Sequence, residues 1–191
     1  MWQRRIQQVV GAHKKLRLDI AGMRRSAVLV LLYPKGPGGG APHLLLTKRT
    51  ETVPQHKGQI AFPGGAQEHA GEGLLETALR EAREEVGVAA DGLEVMGELD
   101  DQWTVTNFVV TPFVAIAEKL PELRLNRDEI SFALEIPLAQ MLDRSRFREE
   151  AREWQGEPYT AYFFDYGEHV VWGLTARVLK QFLDLLDWRL E

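Results

Sequence analysis

Glu81, Glu84 and Glu85 place three carboxylates within five positions, directly after Arg80 and just ahead of Gly87. The spacing predicts a helix with Glu81 and Glu85 nearly on one line and Glu84 on the flank, because a helix turns about 100° per residue. Such crowding is unfavourable in isolation, since like charges at i,i+4 repel by roughly 0.2–0.5 kcal/mol. A bound cation reverses that penalty. Mg²⁺ or Mn²⁺ takes carboxylate oxygens alongside the phosphates of a substrate. The competing reading is a solvated face on an ordinary charged helix.

The surroundings favour the cation. Upstream stand Phe62-Pro63-Gly64-Gly65 and then Glu72, eight residues before Arg80. The stretch from Glu72 to Val88 resembles the Nudix box. In that family the box reads Gly, five residues, Glu, seven residues, Arg-Glu, an aliphatic, any residue, Glu-Glu, any residue, Gly, an aliphatic. Ala82 and Val88 take the aliphatic positions here. The box glycine falls on Ala66, so the glycine pair stands one place early and the loop before Glu72 carries one extra residue. Whatever carbonyl or amide Gly64 and Gly65 offer to metal or phosphate is displaced accordingly.

Composition narrows the alternatives. A chain of 191 residues suffices for one domain with a proper core. The absence of cysteine excludes disulfides, thiolate metal sites and a cysteine nucleophile. A net charge of −5 argues against broad nucleic-acid affinity but not against a small phosphate-rich ligand. The N-terminus lacks the apolar core of a secretory signal. The longest apolar run, Ala27 to Tyr33, is far shorter than the roughly twenty residues of a membrane span. No membrane partner is expected, and a cytoplasmic location is the default. Arg4, Arg5, Lys14, Lys15, Arg17, Arg24 and Arg25 read as solvent-exposed cations of an N-terminal helix and loop. Arg49 and Lys57, nearer the acidic cluster, read as phosphate contacts.

Periodicity supplies the elements. A helix is expected over 2–12, strands over 26–33, 43–48 and 59–62, and a glycine turn at Gly64-Gly65. The acidic helix should run from 73 to 86, with Leu75, Ala78, Leu79, Ala82 and Val86 as an apolar face opposite the acids and Gly87 as its cap. Strands follow over 93–99, 107–117 and 130–136, then a short helix over 138–142 and a strand pair within 152–166. A last helix over 174–190 has Leu174, Val178, Phe182, Leu185 and Leu186 on one side, and an exposed apolar side there would suit a homodimer. Residues 1–24 form an N-terminal extension and 25–191 the domain. This order means helices covering a mixed sheet, which the Nudix resemblance sharpens to an α/β/α sandwich.

A second stretch narrows the resemblance. Leu45-Leu46-Thr47-Lys48-Arg49-Thr50, followed by Gly58-Gln59-Ile60-Ala61-Phe62-Pro63-Gly64-Gly65, is similar to the motif that precedes the box in the coenzyme A pyrophosphatase branch. That motif reads Leu-Leu-Thr-x-Arg-Ser, a spacer, and Gly-x-Val-x-Phe-Pro-Gly-Gly. Thr50 replaces the serine and Ile60 the valine. Trp172-Gly173-Leu174-Thr175-Ala176 is similar to that branch's closing segment. The resemblance implies metal-dependent cleavage of the diphosphate of coenzyme A and its derivatives, releasing 3′,5′-ADP and 4′-phosphopantetheine or its acylated form.

It also implies roles. Glu81 and Glu85 bind the principal Mg²⁺ or Mn²⁺, and Glu84 completes a second site or its water shell. Arg80 orients a glutamate or touches phosphate, and Glu72 is a structural or outer partner. The general base is either a box glutamate, with Glu84 in the catalytic set, or a later carboxylate. Glu129, with Asp128 beside it, is the candidate, and Glu98, Asp100 and Asp101 are held in reserve. Arg49, Lys57, Gly64 and Gly65 meet the substrate's phosphates. Phe62 or Trp103 would stack on adenine, unless both are core residues. Competing readings are a hydrolase of NADH, ADP-ribose or dinucleoside polyphosphates, a silent nucleotide-binding regulator, and a structural protein whose acidic helix is accidental. A silent member would be expected to lose a box glutamate, and all are present.

Overall fold

The computed structural model describes residues 2–36, 40–52, 56–119, 122–154 and 156–186. The chain opens with α1 (Trp2–Gly11) and an extended segment leading into β1 (Arg24–Lys35), which turns back as β2 (Ala41–Arg49). Two short strands, β3 (Ile60–Ala61) and β4 (Gly64–Ala66), precede α2 (Leu74–Val86). Strands β5 (Leu93–Glu98), β6 (Gln102–Trp103), β7 (Phe108–Ala117) and β8 (Ile130–Pro137) follow, then α3 (Leu138–Met141). Strands β9 (Phe147–Trp154), β10 (Glu157–Tyr166) and β11 (His169–Trp172) make a small antiparallel sheet, and α4 (Gly173–Leu185) comes last.

The main sheet is mixed, in the order β3-β2-β1-β7-β5, with β1 parallel to β7 and antiparallel to β2. Strand β1 explains its own unbroken apolar run, because both its faces are covered. Leu29, Leu31 and Tyr33 pack toward Ala78, Ala82 and Val86 of α2. Val30 and Leu32 pack toward Ile6 and Val10 of α1 and Val178, Leu179 and Phe182 of α4. Helix α2 therefore covers one face, and α1 and α4 cover the other. The architecture is the expected α/β/α sandwich.

The sheet splits where the chemistry lies. Strand β1 pairs with β2 through Leu32–Lys35, but through Ser26–Val28 it pairs with β4 instead. Strand β2, having left β1, pairs with β3 at Thr47 and Lys48. The Phe62-Pro63 link bridges the fork, and the Leu29 N–H donates to the Pro63 carbonyl at 2.8 Å. Gly64 and Gly65 are thus not a turn, as the sequence suggested, but a strand laid against β1. A Cβ at Gly64 would lie 2.4 Å from the Ala27 carbonyl oxygen, so only glycine allows this approach.

Several other expectations are corrected. Helix α1 packs on the core, with Ile6 and Val10 buried, and Arg5, expected to be exposed, donates through Nη2 to the Leu186 carbonyl at 2.8 Å. Lys15 and Arg25 are not free surface cations. Lys15 Nζ lies 2.8 Å and Arg25 Nη2 3.3 Å from the carboxylate of Asp101, which is 3% exposed. On the apolar side of α4, Val178, Phe182 and Leu186 face inward while Leu174 and Leu185 are half-buried; positions 187–190 lie outside the described residues. Strands β6 and β11 were not foreseen, being too short to show alternation.

Asp101 illustrates how a buried charge is tolerated. Burial works against its ionised form, but hydrogen bonds from Lys15, Thr111 and the Leu18 N–H outweigh it and hold its carboxyl below the usual range. Removing a partner should leave that charge short of compensation. Lys15→Met is expected to lower unfolding free energy by about 2–4 kcal/mol in urea titrations, and a change under 0.5 kcal/mol would mean the pair is dispensable.

Candidate active site

Helix α2 is anchored at both ends by backbone geometry. At its start the Gly73 N–H donates to Glu76 Oε2 at 3.2 Å and Thr77 Oγ1 donates to the Gly73 carbonyl at 3.2 Å. At its end Gly87 adopts φ 76°, the left-handed cap that glycine takes without strain. Past that cap, segment 122–126 folds back along the helix. The Asn126 N–H donates to the Glu85 carbonyl at 2.9 Å and the Arg124 N–H to that of Val86 at 3.0 Å. Two carbonyls left over at the helix end are thereby satisfied, and the residues just ahead of Glu129 are tied to the acidic helix.

Arg80 is the hub of the box. Its Nε donates to Glu72 Oε1 at 2.7 Å, its Nη1 to Glu81 Oε1 at 2.9 Å and to Glu84 Oε2 at 3.2 Å, and its Nη2 to the Ala66 carbonyl at 3.1 Å. One guanidinium thus joins the loop, the helix and β4. Glu72 is only 6% exposed, and its carboxyl is held down to about 2 by Arg80 first and by the Glu68 N–H second. The shifted loop keeps a carbonyl in play at position 66 although the residue is alanine, since the backbone supplies it.

Glu85 stands at the fork of the sheet and is 4% exposed. It accepts from Arg49 Nη1 at 3.3 Å and from the Gly64 N–H at 3.3 Å. Glu129 approaches the same arginine, with 3.7 Å between its Oε2 and Arg49 Nη2. Burial pushes the Glu85 carboxyl up to about 8, Arg49 opposes the rise, and repulsion from Glu81 adds to it. Glu81 is also raised, chiefly by burial, against the pull of Arg80. The two acids are therefore short of positive charge. Burial opposes their ionisation, a deficit that a divalent cation would offset.

The donor set fits a hard cation. Every candidate atom is oxygen, and Glu81 folds over Gly65 so closely that a Cβ there would stand 2.3 Å from its Oε1. Among the described residues no three or more His, Asp or Glu side chains converge closely enough to hold an ion by themselves. Mg²⁺ seldom needs such a cage, since it is commonly held by one or two carboxylates, with water and substrate phosphates completing the shell.

The predicted residues separate into two groups. Arg80, Glu81, Glu84, Glu85, Arg49, Glu129, Gly64 and Gly65 converge, although Glu84 is half-exposed and turned to Arg80. Glu85 lies on the buried side of α2 rather than opposite its apolar face, because the glycine strand leaves room for it. Lys57 stands exposed in the loop before β3 and makes no ion pair with the box among the described residues. Phe62 is a core side chain, 3% exposed, and is not presented to a ligand. Trp103 lies under Arg177, whose Cζ is 5.5 Å from its ring centroid. The reserve acids hold the N-terminal segment, with Glu98 on Lys15, Asp100 on His13 and Asp101 on Lys15. Asn126 had no sequence signal; its backbone N–H reaches the end of α2, and its side-chain amide donates to Glu129 Oε1 at 3.4 Å.

Fold and box together define a hydrolase family. The NUDIX domain matches residues 23–160, and the chain belongs to that family. It is 35% identical over 160 residues, 83% of this chain and 82% of the relative, to a protein of Photorhabdus laumondii called the uncharacterized Nudix hydrolase NudL. A Salmonella paratyphi B protein of the same name is 37% identical, covering 85% of this chain and 83% of its own. Among solved structures, a Caenorhabditis elegans Ap4A hydrolase binary complex superposes with a TM-score of 0.55 at 17% identity, over 86% of this chain and 98% of that one. A MutT/nudix family protein of Enterococcus faecalis gives 0.53 at 16% identity, over 91% and 66%. These two likenesses speak for the fold.

Two outcomes follow from the site geometry. Unfolded, Glu85 ionises near 4.5; folded and metal-free, near 8. The folded chain keeps a proton that the unfolded chain gives up, so this group's contribution to stability is lost as pH rises through that window. Glu85→Gln should melt higher than wild type at pH 8 in chelator, by up to about 5 kcal/mol, with the gain gone by pH 4.5. Equal melting at pH 8 would contradict the burial account. Gly65→Ala should fold normally, because the clash falls on the end of a flexible side chain. Its turnover should drop at least about tenfold as Glu81 is displaced, whereas wild-type turnover would show that the glycine is not needed.

Proposed function

We propose that this Nudix hydrolase cleaves the diphosphate linkage of coenzyme A and its derivatives, giving 3′,5′-ADP and 4′-phosphopantetheine or its acylated form. One observation carries the reading. Arg49 and Gly64, from the two halves of the motif upstream of the box, both reach Glu85 of the box itself at 3.3 Å. Two stretches separated in sequence thus serve one site, as a shared substrate would require.

In this reading Glu81 and Glu85 hold Mg²⁺ or Mn²⁺, with Glu84 at a second ion or its water shell. A cation held there would supply neutralisation of the diphosphate oxygens, a more acidic water and stabilisation of the leaving oxygen. Arg80 fixes the carboxylates in place through its four partners. Arg49, held by Glu85 and Glu129 at 3.3 and 3.7 Å, would turn to a phosphate oxygen of the substrate. Glu129, half-exposed at the mouth of the site, accepts the proton of the attacking water. The Gly64 and Gly65 backbone lines the approach without side chains in the way. Small nucleotide substrates and a cytoplasmic setting belong to the same reading.

The test is hydrolysis of coenzyme A, acetyl-CoA, NADH, ADP-ribose and diadenosine polyphosphates with Mg²⁺ or Mn²⁺, products resolved by chromatography. Release of 3′,5′-ADP, abolished by chelator and reduced at least about a thousandfold in Glu85→Gln, is expected. Cleavage of another nucleotide but not coenzyme A would overturn the substrate while leaving the metal chemistry in place.

A further inference from the structure

Of the side chains assigned to the proposed reaction, Glu129 alone stands in a turn; the others belong to β2, β4 and α2. A carboxylate in a turn keeps a fixed place only if its neighbours bind it, and Asn126 binds this one repeatedly. The Asn126 N–H donates to the Glu85 carbonyl at 2.9 Å, and its own carbonyl accepts from the N–H groups of Glu129 at 3.1 Å and Ile130 at 2.7 Å. Its Oδ1 accepts from the Asp128 N–H at 3.2 Å, and its Nδ2 donates to Glu129 Oε1 at 3.4 Å. Both backbone groups and both side-chain atoms of Asn126 are thus engaged, either by the turn that carries Glu129 or by the helix that carries Glu85.

The two oxygens of Glu129 have different neighbours. Oε1 takes the Asn126 amide, whereas Oε2 lies 3.7 Å from Arg49 Nη2. Arg49 also binds the Glu85 carboxylate, and Asn126 binds the Glu85 backbone. Glu85 and Glu129 are therefore linked twice, once through a cation and once through an amide. A phosphate that drew Arg49 away would leave the amide contact in place. A neutral donor also fixes a carboxylate without a neighbouring positive charge, which would make it a weaker base. The amide has one orientation open to it. The Asp128 N–H occupies Oδ1, so the NH2 end faces Glu129. The contact is long, as such contacts commonly are in sites without substrate.

We propose that Asn126 is a positioning residue, which sets where the Glu129 carboxylate stands relative to Glu85. This role rests on the reading of Glu129 as the acceptor of the attacking water's proton, and Asn126 acts through that carboxylate.

Asn126→Asp separates this role from a structural one. The substitution keeps the size, the backbone contacts and the acceptor for the Asp128 N–H. It removes only the donor and sets a like charge against Glu129. On whichever nucleotide diphosphate the protein cleaves, at saturating Mg²⁺, kcat of Asn126→Asp should fall about tenfold or more, with KM within about twofold and melting unchanged. Glu129→Gln should lose about a hundredfold, and adding Asn126→Asp to it should lose nothing further. A crystal structure of metal-free Asn126→Asp should show the Glu129 carboxylate swung away from residue 126 with the Asp128 contact kept, a readout that needs no turnover. Wild-type kcat in Asn126→Asp, an undiminished loss on top of Glu129→Gln, or an unmoved Glu129 carboxylate would each overturn the role. Wild-type kcat in Glu129→Gln would count against the proposed base and remove the role with it. A full loss in Glu129→Gln beside an unaffected Asn126→Asp would count against Asn126 alone.

Discussion

The approach of α2 to the fork between β1 and β2 is the constraint on which the rest depends. A side-chain-free ribbon, Gly64-Gly65, fills the gap that opens when β2 leaves β1, and it lets Glu81 and Glu85 come down onto backbone. A side chain at Gly64 would strike the Ala27 carbonyl of β1, and one at Gly65 would displace the Glu81 carboxylate. The same closeness buries Glu85 and leaves it with one arginine and one amide for company. Folding tolerates this poorly satisfied acid because extensive apolar cores pack on both faces of β1. In the proposed reaction a carboxylate so short of positive charge would serve as a ligand for a cation.

Arg80 and Arg49 divide the electrostatic work. Arg80 is buried in hydrogen bonds to Glu72, Glu81, Glu84 and the Ala66 carbonyl, a structural knot that sets carboxylate positions. Arg49 has looser contacts to Glu85 and Glu129, at 3.3 and 3.7 Å, which in the proposed reaction it would exchange for a phosphate. Charge-assisted bonds of the first kind fix geometry, and those of the second kind can be remade as a ligand arrives.

Much of this was legible in the chain. The helical spacing of Glu81, Glu84 and Glu85, the left-handed cap at Gly87 and the doubly buried run in β1 follow from periodicity and side-chain chemistry. Other features depend on tertiary approach and leave little local trace. Gly64-Gly65 looks like a turn because glycine is common in turns, and only its pairing with β1 makes it a strand. Lys15 and Arg25 look like surface cations until Asp101 is brought beneath them from far along the chain. Phe62 sits beside the box in sequence yet its ring belongs to the core. The docking of segment 122–126 on the end of α2 uses backbone groups, to which side-chain identity is blind.

The central claim is that Glu81 and Glu85 form a cation site prepared by burial. Titration of Mn²⁺ into the metal-free protein, followed by the electron paramagnetic resonance signal of the free ion, tests it most directly. The account predicts that wild type quenches the free-ion signal with a defined stoichiometry and that replacing both glutamates with glutamine restores it. Undiminished quenching by the double variant would place the ion elsewhere and contradict the account.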